Sequence, residues 1–180
     1  MKKTVFKSIF VFAIFVVFIS CKKQKEFSVT NSSTFTIPSS SSIINLPMQI
    51  TTPQTTSNIE TKVNNEGSSS KLIEKVTLTS LNLIINAPSN GNFNFLNSIE
   101  IYLSSPNQSE ILVASKYDIP EDNLTTLVLN TESTDLKEYV KEKELTLRTK
   151  IITDKVVSYD LTITAEQIYF VKVALKNIFK

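Results

Sequence analysis

Apolar and polar residues alternate with a period of two over much of the chain after residue 75. In SIEIYLS, residues 98–104, Ile99, Ile101 and Leu103 are separated by polar or amphipathic neighbours. Successive side chains of a β-strand point to opposite faces, so this pattern predicts a half-buried antiparallel strand. Similar segments predict strands at residues 34–37, 76–85, 110–117, 124–130 and 144–153, and one or two strands within 156–176.

The alternation slips once, in VTLTSLNLII at residues 76–85. Val76 and Leu78 follow one phase, and the apolar residues from Leu81 onward follow the other. A β-bulge adds one residue to a strand, which would keep both sets of side chains on the same face. We therefore expect a bulge at Thr79–Ser80.

Helical signals are confined to two short segments. Ser57 and Glu60 have the spacing of a capping box, and Gly67 follows at a position suited to a left-handed stop, which predicts a helix near residues 57–66. A second short helix is expected near 134–140. The polar face of the first helix is typical of a solvated surface, although a partner could also bind there.

Seven or eight short strands separated by turns predict a mainly β fold, an antiparallel β-sandwich with one or two short helices. The turn signals lie at residues 88–91, 105–107, 120–123 and 154–155. The chain has no tryptophan and a single cysteine, so the conserved core of antibody domains is absent. A fibronectin-type or otherwise immunoglobulin-like strand order is expected.

Residues 1–20 have the three parts of a secretory signal peptide: a basic start, an apolar run from Ile9 to Ile19, and a small residue, Ser20. Eleven helical residues span about 16 Å, against a hydrocarbon core of about 30 Å. An uncleaved membrane anchor is the alternative, but Lys7 and Ser8 interrupt any longer apolar segment.

Phe18-Ile19-Ser20-Cys21 resembles the lipobox of bacterial lipoproteins, although Phe18 stands where leucine is usual. The resemblance implies cleavage between Ser20 and Cys21 and acylation of Cys21 on its thiol and its new amine. A single acyl chain binds a membrane only marginally, so several chains on one residue would give a durable anchor. Cys21 is the only cysteine, so no disulfide forms within the chain.

The chain is therefore divided into a signal peptide at 1–20, a lipidated cysteine with a flexible tether at 21–32, and a β-sandwich domain at 33–180. The tether is expected because residues 22–32 are polar and contribute little apolar surface to a core. The remaining length is sufficient for a core without a metal or disulfide.

The formal charge of +2 belongs to the leader, since Lys2, Lys3 and Lys7 precede Cys21. Residues 21–180 have 16 basic and 17 acidic residues, a net charge of −1. The segment KEYVKEKE, residues 137–144, mixes both signs, whereas a nucleic-acid site needs a basic patch with stacking aromatics. We expect the membrane as a partner through the acyl chains and no nucleic acid; the sequence names no protein or glycan partner.

The composition leaves little catalytic chemistry. The chain has no histidine, its cysteine is assigned to the anchor, and its two glycines form no phosphate-binding loop. We therefore expect no enzyme activity and no cofactor. The remaining possibilities are carboxylate chemistry, Ser/Lys pairs and calcium binding.

Three groups of residues are candidates for a calcium, catalytic or binding site. Asp118, Glu121 and Asp122 are a weak candidate for calcium, since they lie in one loop but lack the pattern of an EF-hand. Glu100 and Glu110 could face each other across a hairpin as glycosidase acids do, although outward-facing charges are the default. The tyrosines that could form a binding face are Tyr102, Tyr117, Tyr159 and Tyr169.

The segments LTSLNLIINAP, FLNSIEIYLSS and TLRTKIITD resemble the uncharacterised β-sandwich lipoproteins of Bacteroidota. A more distant similarity is to the immunoglobulin-like domain of type 2 late-embryogenesis-abundant proteins. Neither resemblance implies catalytic residues.

These observations predict a lipid-anchored cell-envelope protein with a non-catalytic binding or structural domain. Lys22 follows the cysteine where an inner-membrane retention signal would have aspartate, so the outer membrane is favoured. KKQKE is not rich in acids, which favours a periplasmic orientation over surface display. The alternatives are a carboxylate-dependent envelope hydrolase, which needs two converging acids, and a carrier with an apolar cavity between its sheets.

Overall fold

A computed structural model describes residues 23–39, 44–52, 55–142 and 144–175 of the chain. Within them the chain forms two antiparallel sheets whose apolar faces share one core. The predicted mainly β fold, an antiparallel sandwich with short helices, is confirmed. The predicted signal peptide, with Ser20 and Cys21, lies outside the described residues.

The strands and helices match most of the predicted segments. No helix in the described ranges is long and apolar enough to span a membrane. The elements are β1 (Gln24–Ile37), β2 (Pro47–Thr51), β3 (Thr55–Thr56), α1 (Ile59–Asn65), a 3₁₀ turn (Ser70–Leu72), β4 (Ile73–Ala87), β5 (Leu96–Ser105), β6 (Gln108–Lys116), β7 (Thr126–Val128), β8 (Asn130–Thr131), α2 (Lys137–Val140), β9 (Glu144–Thr153) and β10 (Leu161–Ala174).

The strand order is that of a jelly roll and differs from the immunoglobulin-like order that we expected. One sheet has the order β1-β10-β4-β7, and the other has β2-β9-β5-β6-β8, with β3 also pairing with β9. Eight of the strands pair in a nested series: β1 with β10, β2 with β9, β4 with β7, and β5 with β6. In an immunoglobulin sandwich the first strand instead lies beside the second. A hydrophobic pattern locates strands but does not say which strands pair.

The prediction of a flexible tether over residues 21–32 is wrong from Gln24 onward. β1 pairs with β10 without interruption from Gln24 to Ile37, and the backbone N–H of Leu175 donates to the Lys23 carbonyl at 2.8 Å. The polar composition was misleading because Ser28, Thr30 and Ser32 face solvent, whereas Val29 is buried. Neighbouring β10 satisfies the backbone groups that would otherwise favour water.

The predicted β-bulge is confirmed. Leu78 pairs with Tyr169 and Ser80 pairs with Ile168, which leaves Thr79 as the extra residue. Leu78 and Leu81 are consequently both buried. The bulge thus corrects the slip in the hydrophobic pattern.

Helix α1 is confirmed, but the predicted capping box does not form. The helix begins after Asn58, and the Ser57 hydroxyl accepts a hydrogen bond from the Ile59 N–H at 3.3 Å. Gly67 has φ of +78°, the left-handed conformation expected at the helix stop. Val63 and Ile59 are buried, so α1 packs its apolar side into the core.

A polar group of three residues is buried at the centre of the sandwich. Gln167 donates from Nε2 to the Ser33 hydroxyl at 3.1 Å, and its Oε1 accepts from the Tyr169 hydroxyl at 3.1 Å. Tyr169 is 2% exposed, and burial raises its pKa. The phenol therefore stays protonated and serves as a donor for Gln167.

The sandwich has two distinct ends. The α1 end contains the first residues of β1 and β4, the last residues of β10, and helix α1. The loop end contains the loops 88–95, 117–125 and 154–160. The first residues of β5 follow the 88–95 loop, and the last residues of β9 precede the 154–160 loop. They pair with each other, so both lie at the loop end.

Replacement Tyr169→Phe tests the buried polar group. We expect a loss of about 1–2 kcal/mol in the free energy of unfolding, because the Oε1 of Gln167 loses its donor inside the core. Urea denaturation measures this loss. Tyr159→Phe is the matched control: Tyr159 is 37% exposed and its hydroxyl donates to the Asn90 carbonyl over a long 3.4 Å, so a change below about 0.5 kcal/mol is expected. Equal losses in the two variants would contradict the role of the buried group.

Candidate functional site

A cluster of charged and aromatic side chains covers the outer face of the six-stranded sheet. β5 and β9 lie side by side, with Glu100 opposite Lys150 and Tyr102 opposite Arg148. Ile101 lies between Glu100 and Tyr102 in β5 and is buried, so it points into the core while its two neighbours point outward. The two-residue period of adjacent strands therefore brings the four polar side chains together.

The Glu100 carboxylate is at the centre of this cluster. Its Oε2 accepts hydrogen bonds from Lys150 Nζ and the Tyr102 hydroxyl, both at 2.9 Å. Its Oε1 accepts one from the Tyr117 hydroxyl at 2.8 Å. The Glu100 side chain is only 18% exposed, so its partners shield it from water.

These contacts favour the ionised form of Glu100. The hydrogen bond from Lys150, followed by that from Tyr117, lowers the pKa of Glu100 from 4.5 to about 2. The same hydrogen bonds raise the pKa of Lys150 and of both tyrosines. At neutral pH the cluster therefore holds a carboxylate, an ammonium and two neutral phenols.

A second ion pair lies beside the first. Arg148 donates from Nε and Nη2 to the two carboxylate oxygens of Glu110, each at 2.6 Å, and this contact lowers the pKa of Glu110. The Arg148 guanidinium also lies 4.3 Å from the centre of the Tyr102 ring. Tyr102 consequently contacts one ion pair through its hydroxyl and the other through its ring, which holds both in place.

A pocket of about 240 Å³ opens next to Glu100, where the sheet meets the loop end. Tyr117 borders it and is 53% exposed, so one part of its ring is available to a ligand. The charged lining residues have a net charge of −1. The lining residues are Asn97, Ser98, Glu100, Tyr117, Asp118, Lys150 and Ile152.

A smaller pocket of about 150 Å³ lies elsewhere at the loop end. Tyr159 and Lys155 border it, together with Asn92 and Asn94. Apolar residues such as Phe95 make up much of the remaining lining. No ion cluster like that around Glu100 adjoins this pocket in the described part of the chain.

Glu100 and Glu110 do not face each other, so the glycosidase-like pair considered from the sequence is wrong. Glu100 lies opposite Ser115 in β6, and each glutamate instead has a basic partner in β9. The strand positions of the two acids were correctly identified as outward-facing. Their partners depend on the register between β5 and β9, which sequence spacing does not give.

The candidate calcium residues do not converge. Asp118 lines the larger pocket, whereas Glu121 pairs with Lys155 and Asp122 is exposed. Across the described ranges, no three acidic, histidine or cysteine side chains are grouped to hold a metal ion. The weak calcium site is therefore not formed by these residues.

Two of the four candidate tyrosines come together, Tyr102 and Tyr117, which both donate to Glu100. Tyr169 is buried and cannot form a surface.

Sequence reasoning missed Lys150 and Arg148 as site residues. Their alternation with buried neighbours in β9 was a signal that both point outward, but not that they meet Glu100 and Tyr102.

Comparisons with known proteins add no functional assignment. No protein-family model matches the chain, and no curated protein matches it. Among solved structures, a chain of Desmodium yellow mottle tymovirus matches with 8% identity and a TM-score of 0.28, covering 100% of this chain and 99% of that chain. A likeness this low carries no inference about fold or function.

Replacement Glu100→Gln tests the cluster through its pH dependence. A carboxylate whose pKa is lowered by folding stabilises the protein above its unfolded pKa of 4.5, and this stabilisation is lost as the pH falls toward 2. At pH 7 we expect the variant to be about 1–3 kcal/mol less stable than wild type. The difference should shrink between pH 4.5 and pH 2, as measured by urea denaturation.

Glu166→Gln is the matched control, because Glu166 is exposed on the outer face of the other sheet. Its replacement should change stability by less than about 0.5 kcal/mol at every pH. A constant difference between wild type and Glu100→Gln from pH 7 to pH 2 would contradict the electrostatic origin of the effect.

Proposed function

We propose that the protein is a lipid-anchored cell-envelope protein whose β-sandwich binds a ligand at its loop end and catalyses no reaction. The observation that carries this proposal is the position of the two functional features. Cys21, the proposed lipidation residue, precedes Lys23 of the α1 end by two positions in the sequence, and the Glu100 pocket opens at the loop end.

The position of the anchor follows from the covalent chain. Cys21 precedes Lys23 by two residues, which span at most about 7 Å when fully extended. Lys23 is fixed by its hydrogen bond from Leu175, at the α1 end. Acyl chains on Cys21 would therefore hold this end close to the membrane, without the flexible tether expected from the sequence.

The pocket is then directed away from the membrane. Lys150 and Ile152, which line it, belong to the last residues of β9, and a ten-residue strand is about 30 Å long. A membrane-distal pocket is accessible to ligands in the aqueous compartment. This separation favours a binding role over a purely structural one.

The state of Glu100 favours binding over catalysis. A general acid must carry a proton near neutral pH, whereas the pKa of Glu100 is lowered to about 2. A carboxylate-dependent hydrolase remains the second candidate, because the same pocket contains the carboxylates of Glu100 and Asp118. Loss of hydrolysis of a bound ligand in Asp118→Asn, with binding retained, would favour that candidate.

An apolar carrier receives less support. The side chains of both inner faces pack into one continuous core, and the smaller pocket, with its more apolar lining, holds only about 150 Å³. Clefts that bury an apolar ligand of drug size are about 300–1,000 Å³.

For localisation we propose the outer membrane with a periplasmic orientation, supported by Lys22 and by the few acids after Cys21.

Replacement Cys21→Ala tests the anchor. Wild type should have an intact mass that exceeds residues 21–180 by the mass of its acyl chains, and it should sediment with membranes. The variant should lack the acyl mass, because alanine has no thiol to acylate. Ser20→Ala, which keeps a small residue before the cysteine, should be processed like wild type. An unmodified wild-type mass together with membrane partitioning equal to that of Cys21→Ala would overturn the lipoprotein proposal.

A further inference from the structure

We infer that the Glu100 pocket takes a neutral saccharide, bound as a single sugar unit or as the end of a chain. This inference rests on the proposed function, since it names the ligand class for the same pocket.

The pocket offers donors and acceptors side by side. Lys150 has three N–H donors, of which one is used by Glu100, and Glu100 Oε1 keeps acceptor capacity beyond its bond to Tyr117. Asp118 adds a second carboxylate, and Asn97 an amide that both donates and accepts. A sugar hydroxyl also both donates and accepts, so adjacent hydroxyls match this mixed lining.

The charge of the pocket argues against an anionic ligand. Glu100 and Asp118 outnumber the single cation Lys150, which is already paired with Glu100. A phosphate or carboxylate bound to the remaining donors of Lys150 would lie beside the carboxylates of Glu100 and Asp118, which repel it. A neutral ligand can instead use the remaining hydrogen-bonding capacity without breaking the ion pair.

Tyr117 supplies an aromatic surface of fixed orientation. Its hydroxyl is held by Glu100 at 2.8 Å, while 53% of the residue remains exposed. The apolar C–H face of a pyranose ring can pack against such a ring while its hydroxyls reach the polar lining. Because the tyrosine is already ordered, little side-chain entropy is lost when the ligand binds.

The size of the pocket limits how much of the ligand it covers. Its volume of about 240 Å³ is below the range of about 300–1,000 Å³ for clefts that bury drug-sized molecules. One sugar unit is a ligand of suitable scale, with any continuing chain exposed to solvent. We therefore infer that the pocket recognises one sugar unit rather than an extended chain.

The test measures binding of defined oligosaccharides to the acylated protein in detergent micelles by isothermal titration calorimetry. The neutral probes are chitotetraose, cellotetraose and maltotetraose, and the anionic probe is tetragalacturonate. We expect at least one neutral probe to bind with a Kd at or below the millimolar range, and the anionic probe to bind at least tenfold more weakly. Tyr117→Ala should weaken the neutral probe at least tenfold, and Tyr117→Phe less.

Tyr159→Ala is the matched control, since it removes an exposed tyrosine from the other pocket at the same end. It should leave the affinity unchanged, and thermal unfolding should show that every variant is folded. The absence of binding to all neutral probes, or an equal loss in Tyr117→Ala and Tyr159→Ala, would overturn the saccharide inference. Preferred binding of tetragalacturonate at the Tyr117 pocket would also overturn it, while leaving the proposed binding role and the acyl anchor, which is tested separately by mass, in place.

Discussion

The pairing of the first strand with the last is the constraint on which the rest of the structure depends. β1 and β10 pair along fourteen consecutive positions, and β10 pairs on its other side with β4. The remaining long strands pair inside this outer pair, as a jelly roll requires. The β1–β10 pairs join residues more than 120 positions apart, so both of these strands must be present before the four-stranded sheet is complete.

This pairing also sets the geometry of function. It places Lys23 at the α1 end beside Leu175, the residue that follows β10. β9 and β5 run between the same two ends and carry the Glu100 cluster toward the loops. Lys150 lies six residues along β9 from its first residue, Glu144, so the strand separates the α1 end from the proposed binding pocket by about 20 Å.

Much of the fold could be predicted from the sequence, because its information is local. The alternation in SIEIYLS and the slip at Thr79 identified a strand and a bulge that the structure confirms. Strand order, the extent of β1 and the partners of Glu100 could not be predicted, since each depends on pairing between distant segments. Ser28 and Thr30 illustrate the difficulty: they are polar because they face solvent from a long strand, and the same composition is typical of a tether.

The proposed opposition of anchor and pocket can be measured directly, because the proposed acylation would consume the only native cysteine and leave an introduced cysteine as the sole thiol. Lys71→Cys lies at the α1 end and Asp122→Cys at the loop end, and both positions are exposed. Each variant is acylated, labelled with a fluorophore and placed in vesicles containing lipids with quencher-labelled headgroups. We expect strong quenching at residue 71 and little at residue 122. Equal quenching, or stronger quenching at residue 122, would contradict the proposed opposition.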